Sequence, residues 1–134
     1  DTAHHSAAIK GFAALPDGGY VAASMDHTLS VVLNGKLRHR LVGHTHWVLC
    51  AAVDNSGTTL VSGSKDRMVC VWDVATGALR NMYSGHKDHV RCVGVLSDGT
   101  VVSGGWDRTI RFWGAAPPAV LEQSGFVETL AVLP

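Results

Sequence analysis

Charge is scarce in this 134-residue sequence: Asp, Glu, Lys and Arg make up 16 %, and 11 cations offset 11 anions. A balanced charge gives no electrostatic reason to make nucleic acid or an acidic membrane the main partner. Cysteine is scarce too. Cys50, Cys70 and Cys92 are odd in number and widely spaced, which argues against a disulfide framework and for a reducing, intracellular compartment, cytoplasmic or nuclear. No apolar run approaches the length of a membrane-spanning helix, and Asp1-Thr2-Ala3-His4-His5 does not read as a signal peptide. Helical periodicity is absent over any long stretch. What remains is 46 % hydrophobic, a composition suited to strands buried on both faces.

The strongest positive feature is a recurrence of about 40 residues. Gly43-His44 is followed by Asp66 and then Trp72; Gly85-His86 is followed by Asp107 and then Trp113. The register holds between these markers. Val48 and Val90 lie four after the His, and Ser62 and Ser103 lie four before the Asp. A weaker copy comes first, with His5, Ile9, Gly18, Asp26 and Val32 in the corresponding places, and another begins at Gln123. The units are 5–43, 44–85, 86–122 and the start of a fourth at 123–134.

Within the second unit the sequence alternates between β-prone runs and turn residues. Val48 to Val53, Thr58 to Ser64, Met68 to Trp72 and Ala78 to Ser84 read as strands. Asp54-Asn55-Ser56-Gly57, Lys65-Asp66-Arg67 and Asp73 to Gly77 read as the turns between them. Asn34-Gly35 in the first unit is a two-residue hairpin signal. Each unit is therefore a four-stranded antiparallel meander, and radial stacking of such sheets hides both faces of each. Gly-His, then Asp, then Trp72-Asp73, in units of this length, resembles the WD-repeat β-propeller family. The resemblance covers nearly the whole chain and implies an all-β fold, here three blades plus one strand of a fourth. Three blades cannot close a ring, so the remaining blades are expected from a longer parent chain or from other copies.

A Ser, a His and an Asp in one unit invite a hydrolase reading. Duplication argues against it, because a catalytic site needs no second copy. The resemblance implies instead a structural tetrad in each unit, His44, Ser62, Asp66 and Trp72, then His86, Ser103, Asp107 and Trp113. Its hydrogen bonds would run from indole to Ser to His to Asp. In the first unit Ala22 and Val32 replace the Ser and Trp, so that unit is expected to be softer. No spacing of His or Cys suggests a metal site, and Gly104-Gly105 precedes no helix that would make a phosphate loop. The expectation is no catalytic residue, no cofactor and no metal.

The resemblance also implies a partner face lined by the residues three and five after each His and by the residue before each Asp. These are Trp47, Leu49 and Lys65; His89, Arg91 and Trp106; Ala8, Lys10 and Met25; and, in the last unit, Phe126 and Glu128. Aromatic and Arg side chains are the usual anchors of interfaces. The alternation Lys36, Arg38, Arg40 would place its cations on one side of a strand, where an acidic partner could use them; charge protection of a sheet edge is the preferred reading. The function expected is a protein-interaction scaffold that binds a peptide or protein on its loop face. Some family members bind ubiquitin there, which is the alternative; an enzyme with an unrecognised site is the reading of another class.

Overall fold

Three four-stranded antiparallel sheets follow one another along the chain in the computed structural model, which describes residues 9–16, 18–114 and 119–127. The first contains β1 (Ile9–Ala14), β2 (Tyr20–Ser24), β3 (Thr28–Leu33) and β4 (Lys36–Val42). The second contains β5 (Val48–Val53), β6 (Thr59–Ser64), β7 (Met68–Asp73) and β8 (Leu79–Ser84). The third contains β9 (Val90–Val95), β10 (Val101–Gly105), β11 (Thr109–Trp113) and β12 (Ala119–Glu122). Each is a meander in sequence order. His5, Ala8, Pro117-Pro118 and Glu128 lie outside the described residues.

Burial follows strand position. The middle strands are buried on both faces, as in β6 and β7, whereas the outer strand β8 is almost wholly exposed. That gradient is what stacking sheet on sheet produces, and it explains an apolar composition without helices. Between the first two sheets, Val21, Leu29, Val31, Leu41, Val48 and Leu60 form one core with Trp72. Between the second and third, Val61, Val69, Val71, Val90 and Val101 form another. Each such side chain contributes about 1.5–3 kcal/mol of hydrophobic stabilisation when fully buried.

The sheets approach closely where side chains vanish. A Cβ on Gly63 would collide with Val90 and with Cys50 Sγ, and one on Gly104 would collide with Val127 and Cys92 Sγ. At Asn34-Gly35 both residues take positive φ, 53° and 75°, as a two-residue hairpin turn requires. In the first sheet Ala22 and Val32 are 0 % and 2 % exposed. Apolar contact there occupies the place of the hydrogen bonds found in the next two sheets.

The cations of β4 do not share one side. Pairing shifts register between Val31 and Val32, so that Leu33 opposes Lys36 while Ser30 opposes Arg40. Lys36 therefore lies on the sheet face of Val31 and Leu33, and Arg40 on the opposite face with Ser30 and Val32. The bulge coincides with a contact to the next sheet, where His39 Nε2 lies 2.9 Å from the Ala75 carbonyl oxygen.

In each sheet the loop between the second and third strands lies at one end, and in the second and third sheets the loop into the first strand lies at that same end. The register of the first strand pair breaks at that end, between Ile9 and Gly11, between Val48 and Cys50, and between the partners of Gly104 and Gly105. Lys10, Leu49 and Arg91 are the extra residues of these bulges. Bulges bend a strand and re-aim a side chain.

Candidate partner-binding face

The polar constellation of the second sheet is a continuous hydrogen-bonded chain. Trp72 Nε1 donates to Ser62 Oγ at 2.8 Å, Ser62 Oγ lies 2.7 Å from His44 Nε2, and His44 Nδ1 lies 2.9 Å from Asp66 Oδ2. The carboxylate can only accept, so His44 carries its proton on Nδ1 and accepts the Ser62 hydroxyl on Nε2. Asp66 also accepts from the backbone N–H of Thr45 and Met68, which ties the loop before β5 to the β6–β7 turn. The third sheet repeats the arrangement with Trp113, Ser103, His86 and Asp107 at 2.7, 2.6 and 2.9 Å. His44, His86, Ser62 and Ser103 are buried. Every donor in the chain has an acceptor, and the hydroxyls hold indole N–H groups and imidazoles rather than facing a substrate.

Gly43 and Gly85 belong to the same construction. A Cβ on Gly43 would come within 2.9 Å of Trp72 Cη2, and one on Gly85 within 2.8 Å of Trp113 Cη2. The glycine before each His lets the chain cross the indole edge.

Outside the tetrads, side chains at the same end form two aromatic–cation groups. In the second sheet the Lys65 backbone N–H donates to the Trp47 carbonyl oxygen at 2.9 Å, and the Lys65 ammonium lies 4.4 Å from the Trp47 ring centroid. His46 stands edge-on to Trp47 with centroids 5.7 Å apart, and it lies equally far from His27. In the third sheet the Trp106 N–H donates to the His89 carbonyl oxygen at 3.0 Å. His89 stacks on Trp106 at 4.7 Å, Phe126 stacks on it at 5.4 Å, and the Arg91 guanidinium lies 5.5 Å from its centroid. The same backbone bond thus carries Trp then Lys in one sheet and His then Trp in the next.

Phe126 is 62 % exposed, whereas Leu49 is 6 % exposed, so Leu49 lines the interior and drops out of the contact surface. Met25 is half-buried in the β2–β3 turn, and Lys10 is exposed. Among the described residues, no group of three His, Cys, Asp or Glu side chains is arranged to hold a metal ion.

The WD domain, G-beta repeat family matches residues 2–32, 35–73 and 77–114, most of the chain. The chain belongs to the WD-repeat family. Two of the matched WD repeats run from the outer strand of one sheet through the first three strands of the next, β4 to β7 and β8 to β11. Among curated relatives, the small ribosomal subunit protein RACK1 of Caenorhabditis elegans is 37 % identical over 91 residues, 58 % of this chain and 28 % of that protein. The COMPASS component SWD3 of Saccharomyces cerevisiae is 33 % identical over 104 residues, 75 % of this chain and 33 % of that protein. Among solved structures, the WD40 β-propeller domain of Doa1 superposes with a TM-score of 0.82 at 26 % identity, over 93 % of this chain and 44 % of that one. The WD40 repeats of RRP9 superpose with a TM-score of 0.84 at 23 % identity, over 96 % of this chain and 43 % of that one. The chain spans a third or less of these curated relatives and under half of these solved WD-repeat propellers.

Burial and hydrogen bonding shift titratable groups both in the WD-repeat tetrads and on the loop face. Burial works to raise the Asp66 pKa, but His44 and the backbone N–H groups outweigh it and hold the carboxyl below its ordinary value. Asp107 behaves likewise, through Thr109, the Lys87 N–H and His86. Burial lowers the His86 pKa against the pull of Asp107. Burial also lowers that of His89, where Asp88 opposes and Lys65, His46 and Arg91 assist. The last effect means that cations from both aromatic groups are felt at His89.

Counting from the His and Asp picked out the two Trp and their neighbours but missed His27, His46, Arg67 and Arg108. A usable signal was present. The residue after the repeat Asp is basic or His in each of the first three units, and all three adopt positive φ, 76° at His27, 72° at Arg67 and 65° at Arg108.

Proposed function

We propose that the chain is the part of a WD-repeat propeller that presents a protein-binding face, and that it acts as an interaction scaffold rather than an enzyme. The observation that carries this reading is the pair of aromatic–cation groups, Trp47 with Lys65 and Trp106 with Arg91, His89 and Phe126. They stand outside the hydrogen-bonded tetrads and on the loops that open one end of the sheets. Aromatic and Arg side chains dominate the energetics of interfaces. A rigid β scaffold that holds them in fixed positions loses little ordering entropy on binding.

Relatives whose names tie them to assemblies, a small ribosomal subunit protein, a ribosome biogenesis protein and a COMPASS component, support a role in protein complexes and an intracellular setting. The further blades of the propeller come from a longer parent chain or from other copies.

Trp47→Ala and Trp106→Ala test the proposal. Each should strip partners captured from lysate while the thermal midpoint stays close to that of the wild type. Partners retained in full by both variants would overturn the assignment of the face.

A further inference from the structure

The balanced charge of the sequence conceals a separation along the propeller axis. At the loop end that carries Trp47 and Trp106, three of the carboxylates are consumed inside turns. Asp66 and Asp107 hold the tetrad histidines, and Asp26 accepts from Thr28 and lies 3.8 Å from Arg40. Their side chains are 5 %, 6 % and 10 % exposed. Asp88, beside His89, and Glu122, on the outermost strand of the third sheet, are the more accessible acids in the described part of this end. Against them stand the exposed cations Arg67, Lys87 and Arg108, together with Lys65 and Arg91 over the Trp rings. The described part of the opposite loops is balanced by comparison, with Asp54, Asp73 and Asp98 set against Lys36, Arg38 and Arg80, the last bonded to Asp73 at 2.7 Å.

We propose that the loop face takes an acidic segment of a partner protein, a run of Asp and Glu interrupted by apolar side chains. The carboxylates would meet Arg67, Lys87 and Arg108, and an apolar side chain would settle on Phe126 beside Trp106. This rests on the reading of that face as the partner surface, and it adds the chemistry of what binds. Single-stranded nucleic acid shares the negative charge but needs open aromatic planes on which bases stack. Here the Lys65 ammonium lies over Trp47, and His89 and Phe126 stack on Trp106, so that neither indole is open and Phe126 is left as the exposed ring of that stack. The zero net charge also leaves the chain without the long-range positive field of a nucleic-acid binder.

Arg67 and Arg108 permit a clean test, because their positive φ favours glycine over any side chain. Arg67→Gly/Arg108→Gly removes two cations and relaxes the backbone, so the folded state should be retained. The probes are fluorescein-labelled peptides of one length with the same Phe and Leu, filled out with Glu and Asp, with Lys, or with Ser, alongside an oligothymidylate. Anisotropy on the full chain should show the acidic peptide bound at least about tenfold more tightly than the others. Binding should weaken as added salt shortens the screening length from about 10 Å to about 3 Å. The double Gly variant should weaken it about tenfold with an unchanged or higher thermal midpoint. Equal binding of the three peptides, no binding, or tighter binding of the oligothymidylate overturns the inference. If that happens while Trp47→Ala and Trp106→Ala still strip lysate partners, the partner surface stands and only its acidic preference falls. If those variants also leave partners unchanged, both fall.

Discussion

Ser62 and Trp72 are joined by a 2.8 Å hydrogen bond in which the indole N–H donates to the hydroxyl, and the same hydroxyl lies 2.7 Å from His44. One buried oxygen therefore satisfies two ring nitrogens. Ser62→Ala leaves both without a partner in a site that excludes water, and it should destabilise the fold by about 2–4 kcal/mol. Ser103→Ala should cost less, because Trp113 is only half-buried while Trp72 is 1 % exposed. Chemical denaturation of the two variants measures this. A loss at Ser62 no larger than that of a surface substitution would contradict a structural role for the tetrad.

Gly43 is held to its identity by the Trp72 ring. Gly43→Ala places a methyl 2.9 Å from a buried indole carbon that has nowhere to move, and a cost of about 1–3 kcal/mol is expected. Gly85→Ala should be milder, since Trp113 can shift toward solvent. The ratio of the two denaturation midpoints checks the comparison, and a larger loss at Gly85 would contradict it.

Acid should weaken the fold in two stages of the same sign. Burial holds His86 and His89 below the ordinary histidine value, so the folded state favours neutral imidazole. The stability this confers is complete above about pH 6.5 and is lost as pH falls below it. Asp66 and Asp107 are held below the ordinary carboxyl value despite burial. Their contribution is present above about pH 4 and is lost as pH falls further. Denaturation midpoints across a pH series should decline in both windows, and Asp66→Asn should blunt the lower one. Stability that rises on acidification from neutral pH would contradict these assignments.

The thiols should be inert while the fold lasts. Burial and then Asp66 push the Cys70 pKa up to about 12. Burial, with Cys92 adding to it, pushes that of Cys50 up as well. Cys92 is itself buried at 7 % exposure. The thiolate is the reactive form, so iodoacetamide at neutral pH should leave all three unmodified by mass spectrometry until denaturant is added. Rapid native labelling would contradict the burial of Cys70, which is 0 % exposed with its Sγ 3.9 Å from His44 Nδ1.

The tetrads were legible through the recurrence of His, Ser, Asp and Trp and the family resemblance that this recurrence carries, which implied their hydrogen bonding. Asn34-Gly35 was legible for a local reason, since two successive positive φ values favour those residues. The β4 register shift was not, because it accompanies the reach of His39 to Ala75 in the neighbouring sheet, a tertiary event. Leu49 sits at the same repeat position as Arg91, and only the convergence of the inner strands decides that it is buried. The charge separation was hidden by the sum: zero net charge is silent about which carboxylates are locked in turns. His27, Arg67 and Arg108 share a place in the sequence, each directly after the Asp of its unit, but their common positive φ is a property of the folded turns.

A photo-crosslinking residue placed at Phe126 and, in a second variant, at Asp98 tests the central claim most directly. Both positions are exposed, and they lie in loops at opposite ends of the sheets. Irradiation in cells followed by mass spectrometry should yield partner adducts from position 126 and few or none from position 98. Adducts from position 98 alone, or equally from both, would contradict the loop face of Trp47 and Trp106 as the surface that meets a partner.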